Sequence, residues 1–328
     1  MRDRLRMQRR CAILALAAVA LMGSLPAQAQ NYPDRSVKII VPFPPGGSAD
    51  AIPRIIADYL ARKWNQPVVI ENRVGAAGNI GAEAAYRSPP DGYTLMSSPP
   101  PPFVMNQHLY PRLPFDPTKF ELIVIMAHVP SGLFVNPDKL KVNSLAELLD
   151  YLKRHPGEVT SATQGNGTTS HLTSEMFQLL GKVKLQQIPY RGSAPALTGL
   201  LAGDVDLMFD NLGVSMPLVQ AGKLKMLGVA TAQRLASLPN VPTIAETLPG
   251  FESAAWFAIA APPGTPKPII DKINADVNEA LRDKEIQDKL KPLSAEVFGG
   301  SPDKAASYMR EEVTRWGNVI KAADVKLQ

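Results

Sequence analysis

The chain has 328 residues, 45% of them apolar, with 35 Lys and Arg against 30 Asp and Glu for a formal net charge of +5. Five of those arginines and Asp3 fall in the first ten residues, so from residue 30 on the count is 30 against 29. That balance leaves no basic field for nucleic acid. The one cysteine, Cys11, lies in the same leader, which removes disulfides, thiol catalysis and thiolate metal sites from the rest of the chain together.

Residues 1–29 read as an export signal. Arg2, Arg4, Arg6, Arg9 and Arg10 form a basic start, and Cys11 to Leu25 is a 15-residue apolar stretch, short for a membrane span. Ala27-Gln28-Ala29 offers a small-x-small cleavage site, so the mature chain is expected to begin near Gln30, in the periplasm. The remaining roughly 300 residues suit two domains. Strand-like runs alternate with helical patterns, the signature of an α/β fold with mainly parallel sheets.

Val37-Lys-Ile-Ile-Val41 is a short apolar run, the length of a buried strand. Pro42-Phe-Pro-Pro-Gly-Gly-Ser-Ala-Asp50 follows, and Ile52, Ile55, Ile56, Tyr59, Leu60 and Trp64 then recur at helical spacing. The glycines there permit positive φ, and a helix start aims unpaired N–H groups at whatever lies in front of it. Asp50 is expected as the cap of this helix, with Pro53 in its first turn. The next unit, Val68 to Gly81, carries glycines spaced GxxGxxG, not the GxGxxG of dinucleotide folds, and no P-loop lysine follows. It reads as a further glycine loop opening a helix at the same sheet edge.

Tyr93 to Met96 reads as a strand, and Pro99 to Pro102 as a stiff extended segment, since four prolines fit neither a central strand nor a helix interior. Phe120 to Ala127 and Gly132 to Asn136 read as two extended segments with a break at Pro130, a crossing between domains. Leu145 to Leu152 is helical. Glu158 to Leu172 then repeats the first arrangement, a short strand, a loop with Gly165 and Gly167, hydroxyls from Thr168, Thr169 and Ser170, and an amphipathic helix. Two such loops facing each other would grip an anion from both sides. Ser193 reads as a helix cap with Pro195 in the first turn. Val205 to Asn211 is a strand whose end puts Asp210 at the sheet's carboxyl edge, as a cap or a ligand contact. Lys225 to Ala230 is a strand, Ala255 to Ala260 the return crossing, and Ile269 to Leu281 and Ala305 to Ile320 terminal helices.

Catalytic patterns are missing. Gly46-Gly-Ser-Ala-Asp50 lacks the final glycine of a nucleophile elbow, Ser170 and His171 are sequence neighbours whose side chains diverge on a helix, and there is no HExxH. His108, His128, His155 and His171 show no metal-ligand spacing. No enzyme activity, metal or cofactor is expected.

Six stretches together resemble the solute receptors of tripartite tricarboxylate transporters, also called Bug-type receptors. They are 42–50, Glu-Asn-Arg-x-Gly-x-x-Gly-Asn-Ile-Gly at 71–81, Asp-Gly-Tyr-Thr-Leu at 91–95, Gly-Asn-Gly-Thr-Thr-Ser-His-Leu at 165–172, Tyr-Arg-Gly-Ser-Ala-Pro-Ala at 190–196 and Val-Asp-Leu-Met-Phe-Asp at 205–210. The resemblance implies an α/β periplasmic binding protein of the type II-like, Venus-flytrap kind, with two α/β domains joined by a two-crossing hinge. Residues 30–130 with 252–328 would form one domain and 131–251 the other. It implies a monomer that closes on a small organic acid and delivers it to membrane subunits of the transporter, or alternatively reports to a periplasmic sensor. The ligand-binding positions implied are Phe43, Gly46, Gly47, Ser48, Asp50, Gly78, Asn79 and Ser98 on one side. On the other they are Gln164, Gly165, Asn166, Gly167, Thr168, Thr169, Ser170 and Asp210. Where the family usually carries small polar residues this chain has Pro99 to Pro102, which suggests a ligand with an apolar or aromatic far end.

Overall fold

The first strand is where the pattern predicts it. In the computed structural model, which describes residues 32–327, Val37–Val41 (β1) lies between Val68–Asn72 (β2) and Thr94–Ser98 (β3), parallel to both. Ile39 stands opposite Ile70 on one side and Leu95 on the other, and is fully buried, as a strand covered on both faces requires. The leader at 1–29, its cleavage site and the start near Gln30 lie outside the described residues.

Helices α1 (Ser48–Trp64) and α2 (Asn79–Tyr86) connect these strands. After β3 come a helical turn at Pro101–Met105 and a short helix, α3 (Asn106–Leu109). Strand β4 (Glu121–Val135) then leads through α4 (Leu145–Arg154), β5 (Thr160–Thr163), α5 (Thr169–Gly181), β6 (Gln186–Pro189), α6 (Ser193–Ala202), β7 (Leu207–Asn211), α7 (Leu212–Gln220) and β8 (Lys225–Val229). The chain returns on β9 (Ala254–Ala261) and ends with α8 (Lys267–Arg282), α9 (Lys284–Leu290), β10 (Glu296–Val297) and α10 (Pro302–Ala322).

Two sheets share one strand. The first has the order β2-β1-β3-β9-β4 with β10 on β4, the second β6-β5-β7-β4-β8. Residues Glu121 to Pro130 of β4 pair with β9, and Ser131 to Val135 pair with β7 and β8. The expected break at Pro130 is therefore absent: one strand runs through both sheets, and its proline sits where the partner changes, a position that tolerates a missing donor. The expectation of mainly parallel sheets holds for β2-β1-β3 and β6-β5-β7 only. Strands β4 and β9 run antiparallel to their neighbours, because the chain must cross from one sheet to the other and come back.

The cores are separate on the two sides. Phe103, Trp256 and Trp316 centre the first, where both indole N–H groups donate to the buried Glu312 carboxylate at 2.9 and 3.1 Å. Phe177, Phe209 and Phe251 pack together in the second. From Arg35 on, both sheets and their helices form one compact unit.

Three local expectations need correction. Helix α1 is capped by Gly47, whose carbonyl accepts from the Asp50 and Ala51 amides at 3.0 Å each, so Asp50 lies within the first turn and Pro53 deeper in the helix. The cap of α6 is Gly192, at φ +112°, which leaves Ser193 as the first helical residue. The proline run is not extended. Phe103 and Val104 both donate to the Pro100 carbonyl, and Pro100 has helical dihedrals. A proline's fixed φ suits the first turn of a helix, where its missing N–H has no partner to lose.

Candidate functional site

The carboxyl ends of β1, β5, β6 and β7 open toward one cavity, about 600 Å³ with its mouth included. Each strand is followed by a helix whose start reaches the cavity wall. Gly47, Ser48 and Ala49 come from α1, and Thr168, Thr169 and Ser170 from α5. Gly192 and Ser193 come from α6, and Asn211 caps α7. The first amides of a helix have no intrahelical acceptor and carry the positive end of its dipole. Four such starts around one space make a positive field without a cation. No lysine or arginine among the described residues lines the cavity.

The side chains in the wall are tied to one another. Asp210, fully buried, accepts from Gln164 Nε2 at 2.6 Å, Ser215 Oγ at 2.9 Å and Ser193 Oγ at 3.0 Å. Burial pushes its carboxyl up to about 6 in spite of those donors. Ser170 Oγ accepts from the Gln164 amide at 2.8 Å, and Thr168 Oγ1 donates to the Gly165 carbonyl at 2.7 Å. One residue farther along the helix, His171 Nδ1 accepts the Gly167 amide at 3.2 Å, with Glu175 Oε1 3.6 Å from Nε2. Burial drives this imidazole down to about 4, so it is neutral and holds the loop in shape. Ser48 is the exception. Its hydroxyl is buried in the wall and has no hydrogen-bond partner among the described residues. A buried hydroxyl left unpaired costs about 1–3 kcal/mol, and an anion in the cavity would satisfy it.

The sixteen positions singled out in the sequence do not all meet at this cavity. Phe43, Gly47, Ser48, Gln164, Thr168, Thr169, Ser170 and Asp210 line it. Gly78, Gly165 and Asn166 line a separate outer hollow instead. Asp50 faces elsewhere: it accepts from Arg54 at 2.9 Å and from Asn72 at 2.8 Å, and although burial works to raise its carboxyl, those bonds hold it below the usual carboxylate range. Asn79 accepts from Asn106 Nδ2, and Ser98 donates to the Pro99 carbonyl. Gly46, at φ +97°, shapes the turn, and Gly167 packs beneath Ala77, Leu109 and Leu327.

Pro44, Ser131, Ser193, Asn211, Ala255 and Phe257 also line the cavity and were not anticipated as site residues. Gly192-Ser193 repeats the strand–glycine–helix pattern of the other loops, and that signal could have found them. Ser131, Ala255 and Phe257 come from β4 and β9 near the crossing, where only the fold brings them to the site. Pro99 and Pro101 line the cavity that the helix starts enclose.

Comparisons with known proteins identify the family. Residues 52–325 match the model of the TctC family, described as tripartite tricarboxylate transporter family receptor. The chain is 37% identical to the protein BugT of Bordetella pertussis over 325 residues, covering 98% of this chain and 99% of that one. Among solved structures, an R. palustris protein with adipate superposes with a TM-score of 0.86 at 38% identity, covering 90% of this chain and 99% of the other. MatC from Rhodopseudomonas palustris, with bound malate, superposes at 0.83 and 33% identity, covering 88% and 100%. The fold is thus that of the periplasmic solute-binding proteins, and the chain belongs to the tripartite tricarboxylate transporter family of receptors.

Proposed function

We propose that this receptor takes a small organic acid, holding one carboxylate against the starts of α1, α5, α6 and α7. The observation that carries the reading is the convergence of four helix starts and the unpartnered Ser48 hydroxyl on a space without a fixed cation. The adipate and malate of the two solved relatives are carboxylates of this kind. Chemistry on the ligand has no support in the wall, since Ser170 and His171 are engaged with the Gln164 and Gly167 amides and not with each other.

Residues 30–130 with 252–328 would move against 131–251, with β4 and the segment entering β9 as the two connections. Contacts across the cleft support a closed arrangement. A Cβ built on Gly46 would stand 3.5 Å from Ala194 Cβ, and one on Gly47 3.5 Å from Ser193 Cβ. A carboxylate touched by loops from both sides binds the closed form more tightly, and that difference drives closure. The exported monomer would carry its cargo in the periplasm to the transporter's membrane subunits. Among the described residues no helix is long and apolar enough to cross a membrane.

Calorimetric titration of the purified protein with adipate and malate, alongside their amides, tests the carboxylate assignment. The acids are expected to bind and to raise the melting temperature by mass action, about 2.7 kcal/mol at a hundredfold excess over Kd, while the amides do neither. Equal binding of acid and amide would refute it.

A further inference from the structure

The four helix starts at the cavity differ in one respect. No acidic residue occupies the first turn of α5, α6 or α7, whereas α1 carries Asp50 there. A first-turn carboxylate suits the helix dipole but offsets the positive field that an anion in front of the helix would meet. Asp210, the carboxyl that lines the cavity, is raised by burial to about 6 and can take up a proton. Asp50 has no such release. Although burial works to raise it, its bonds to Arg54 and Asn72 hold it below the usual carboxylate range, so it stays ionised while buried.

The Asp50 carboxylate helps to shape the loop beside it. Asn72 Nδ2 donates to Asp50 Oδ1 at 2.8 Å and to the Phe43 carbonyl at 2.9 Å, so one amide ties the first turn of α1 to a residue of the cavity wall. Arg54, one turn along α1, closes the cluster. Its Nε and Nη2 donate to the two Asp50 oxygens at 2.9 Å each, and Nη2 also donates to Asn72 Oδ1 at 3.0 Å. Two parallel bonds are the strong form of an arginine–carboxylate contact. The pair lies behind the wall, since neither Arg54 nor Asp50 lines the cavity.

We infer that Arg54 is a positioning residue for the bound anion: by masking the charge of Asp50 it lets that carboxylate hold the 43–47 loop without repelling an acid at the start of α1. The inference rests on the proposed carboxylate reading and adds to it a residue outside the cavity on which affinity depends. The guanidinium acts through Asp50 and does not touch the ligand. Removing it would leave a buried negative charge facing the anion, whereas removing both charges together would leave the field nearly as it was. Asparagine at position 50 can still accept from Asn72, so the loop would keep its tie.

Calorimetry with adipate, at low and at high salt, tests this on the wild type, Arg54→Gln, Arg54→Lys, Asp50→Asn and the double variant Asp50→Asn/Arg54→Gln. Arg54→Gln is expected to weaken adipate about threefold to tenfold, the range for a partly buried charge near a helix start, and added salt should shrink that loss. Arg54→Lys, which keeps the charge, should keep most of the affinity. The double variant should regain most of what Arg54→Gln loses, which a residue serving only the fold would not do. Wild-type affinity in Arg54→Gln, or a double variant no tighter than Arg54→Gln, would overturn the inference while the carboxylate site stands. If Arg54→Gln does not fold, Asp50→Asn decides alone: it should bind adipate at least as tightly as the wild type, and weaker binding would overturn the masking. Failure of adipate and malate alike to bind the wild type would overturn the carboxylate reading and this inference with it.

Discussion

Replacing Asp210 by asparagine should change how stability depends on pH. The carboxyl is fully buried, and burial moves it from 3.8 in a free chain up to about 6, with Ser215, the Asn211 amide, Ser193 and Gln164 pulling the other way. A raised value means that the folded protein holds this proton more tightly than the unfolded one. Between about 4 and 6 the folded state therefore binds more protons, and the group's contribution to stability falls as pH rises through that window. Below it both states are protonated, and above it both are ionised. A difference of about two units at 1.36 kcal/mol each is about 3 kcal/mol. Asparagine has no such proton, and its misplaced N–H₂ toward Ser193 and Ser215 adds an offset that does not vary with pH. The unfolding free energy of Asp210→Asn minus that of the wild type should thus rise by about 2 kcal/mol from pH 4 to pH 7.5, measured by urea denaturation without ligand, the rest of the effect lying below pH 4. A flat difference would show that the donors around Asp210 fully compensate its burial. The same reasoning reaches binding: a second carboxylate in the cavity pushes Asp210 further toward protonation, so ligand uptake near pH 7 should absorb protons, seen as a buffer-dependent enthalpy in the wild type and not in the variant.

Ser48→Ala removes a hydroxyl with no partner among the described residues. It should weaken an acid ligand by about 0.5–1.5 kcal/mol in calorimetry while leaving thermal stability equal or higher; lowered stability with unchanged affinity would mean the hydroxyl serves the fold. At Gly192, φ is +112° and a Cβ would stand 2.5 Å from Pro44 Cγ. Gly192→Ala should hold the two loops apart and reduce affinity at least tenfold, with about 1–3 kcal/mol of backbone strain visible in denaturant melts. Wild-type affinity in that variant would refute the close approach of the loops. His171→Phe leaves the Gly167 amide without its acceptor and should cost about 1–3 kcal/mol of stability at pH 8; at pH 5 the cost should be smaller by about 2 kcal/mol, because there the unfolded wild-type imidazole takes up a proton that the buried one, lowered from 6.5 to about 4, does not, and phenylalanine removes that penalty.

What could be read from the chain was local and repeated. A strand, a glycine turn and a helix start lie within a dozen residues of each other, so the loops at 42–50 and 164–170 were visible before any fold. Their chemistry follows from backbone geometry alone. The misplacements arose where two local rules compete. Asp50 is a good cap by residue type, but Gly47 in an extended conformation reaches the capping geometry first, and the Asp50 carboxylate is drawn off to Arg54 and Asn72. Ser193 also looks like a cap, yet Gly192 takes that place at positive φ and frees the serine to donate to Asp210. Four prolines look extended until one notices that the first helical turn asks nothing of their nitrogens. Ser131, Ala255 and Phe257 could not be read locally, because their place at the site depends on β4 passing from one sheet into the other.

The absence of lysine and arginine from the inner wall, among the described residues, has a physical consequence for a receptor. A buried guanidinium paired with a carboxylate needs heavy desolvation of both ions, and once made the pair is costly to separate. Amides at helix starts are already fixed in place and carry only partial charge, so an anion meets preorganised donors without stripping a full cation of its water. In the proposed reading, recognition is spread over loops from both sides of the cleft. Opening the cleft would remove part of the donor set from the ligand at once, which lets a protein that binds selectively still let go. Asp210 strengthens that asymmetry: buried at the same wall, with its carboxyl pushed up to about 6 by that burial, it disfavours an ionised ligand more as it loses its own proton. An acid held while Asp210 is protonated is held less tightly when that proton leaves.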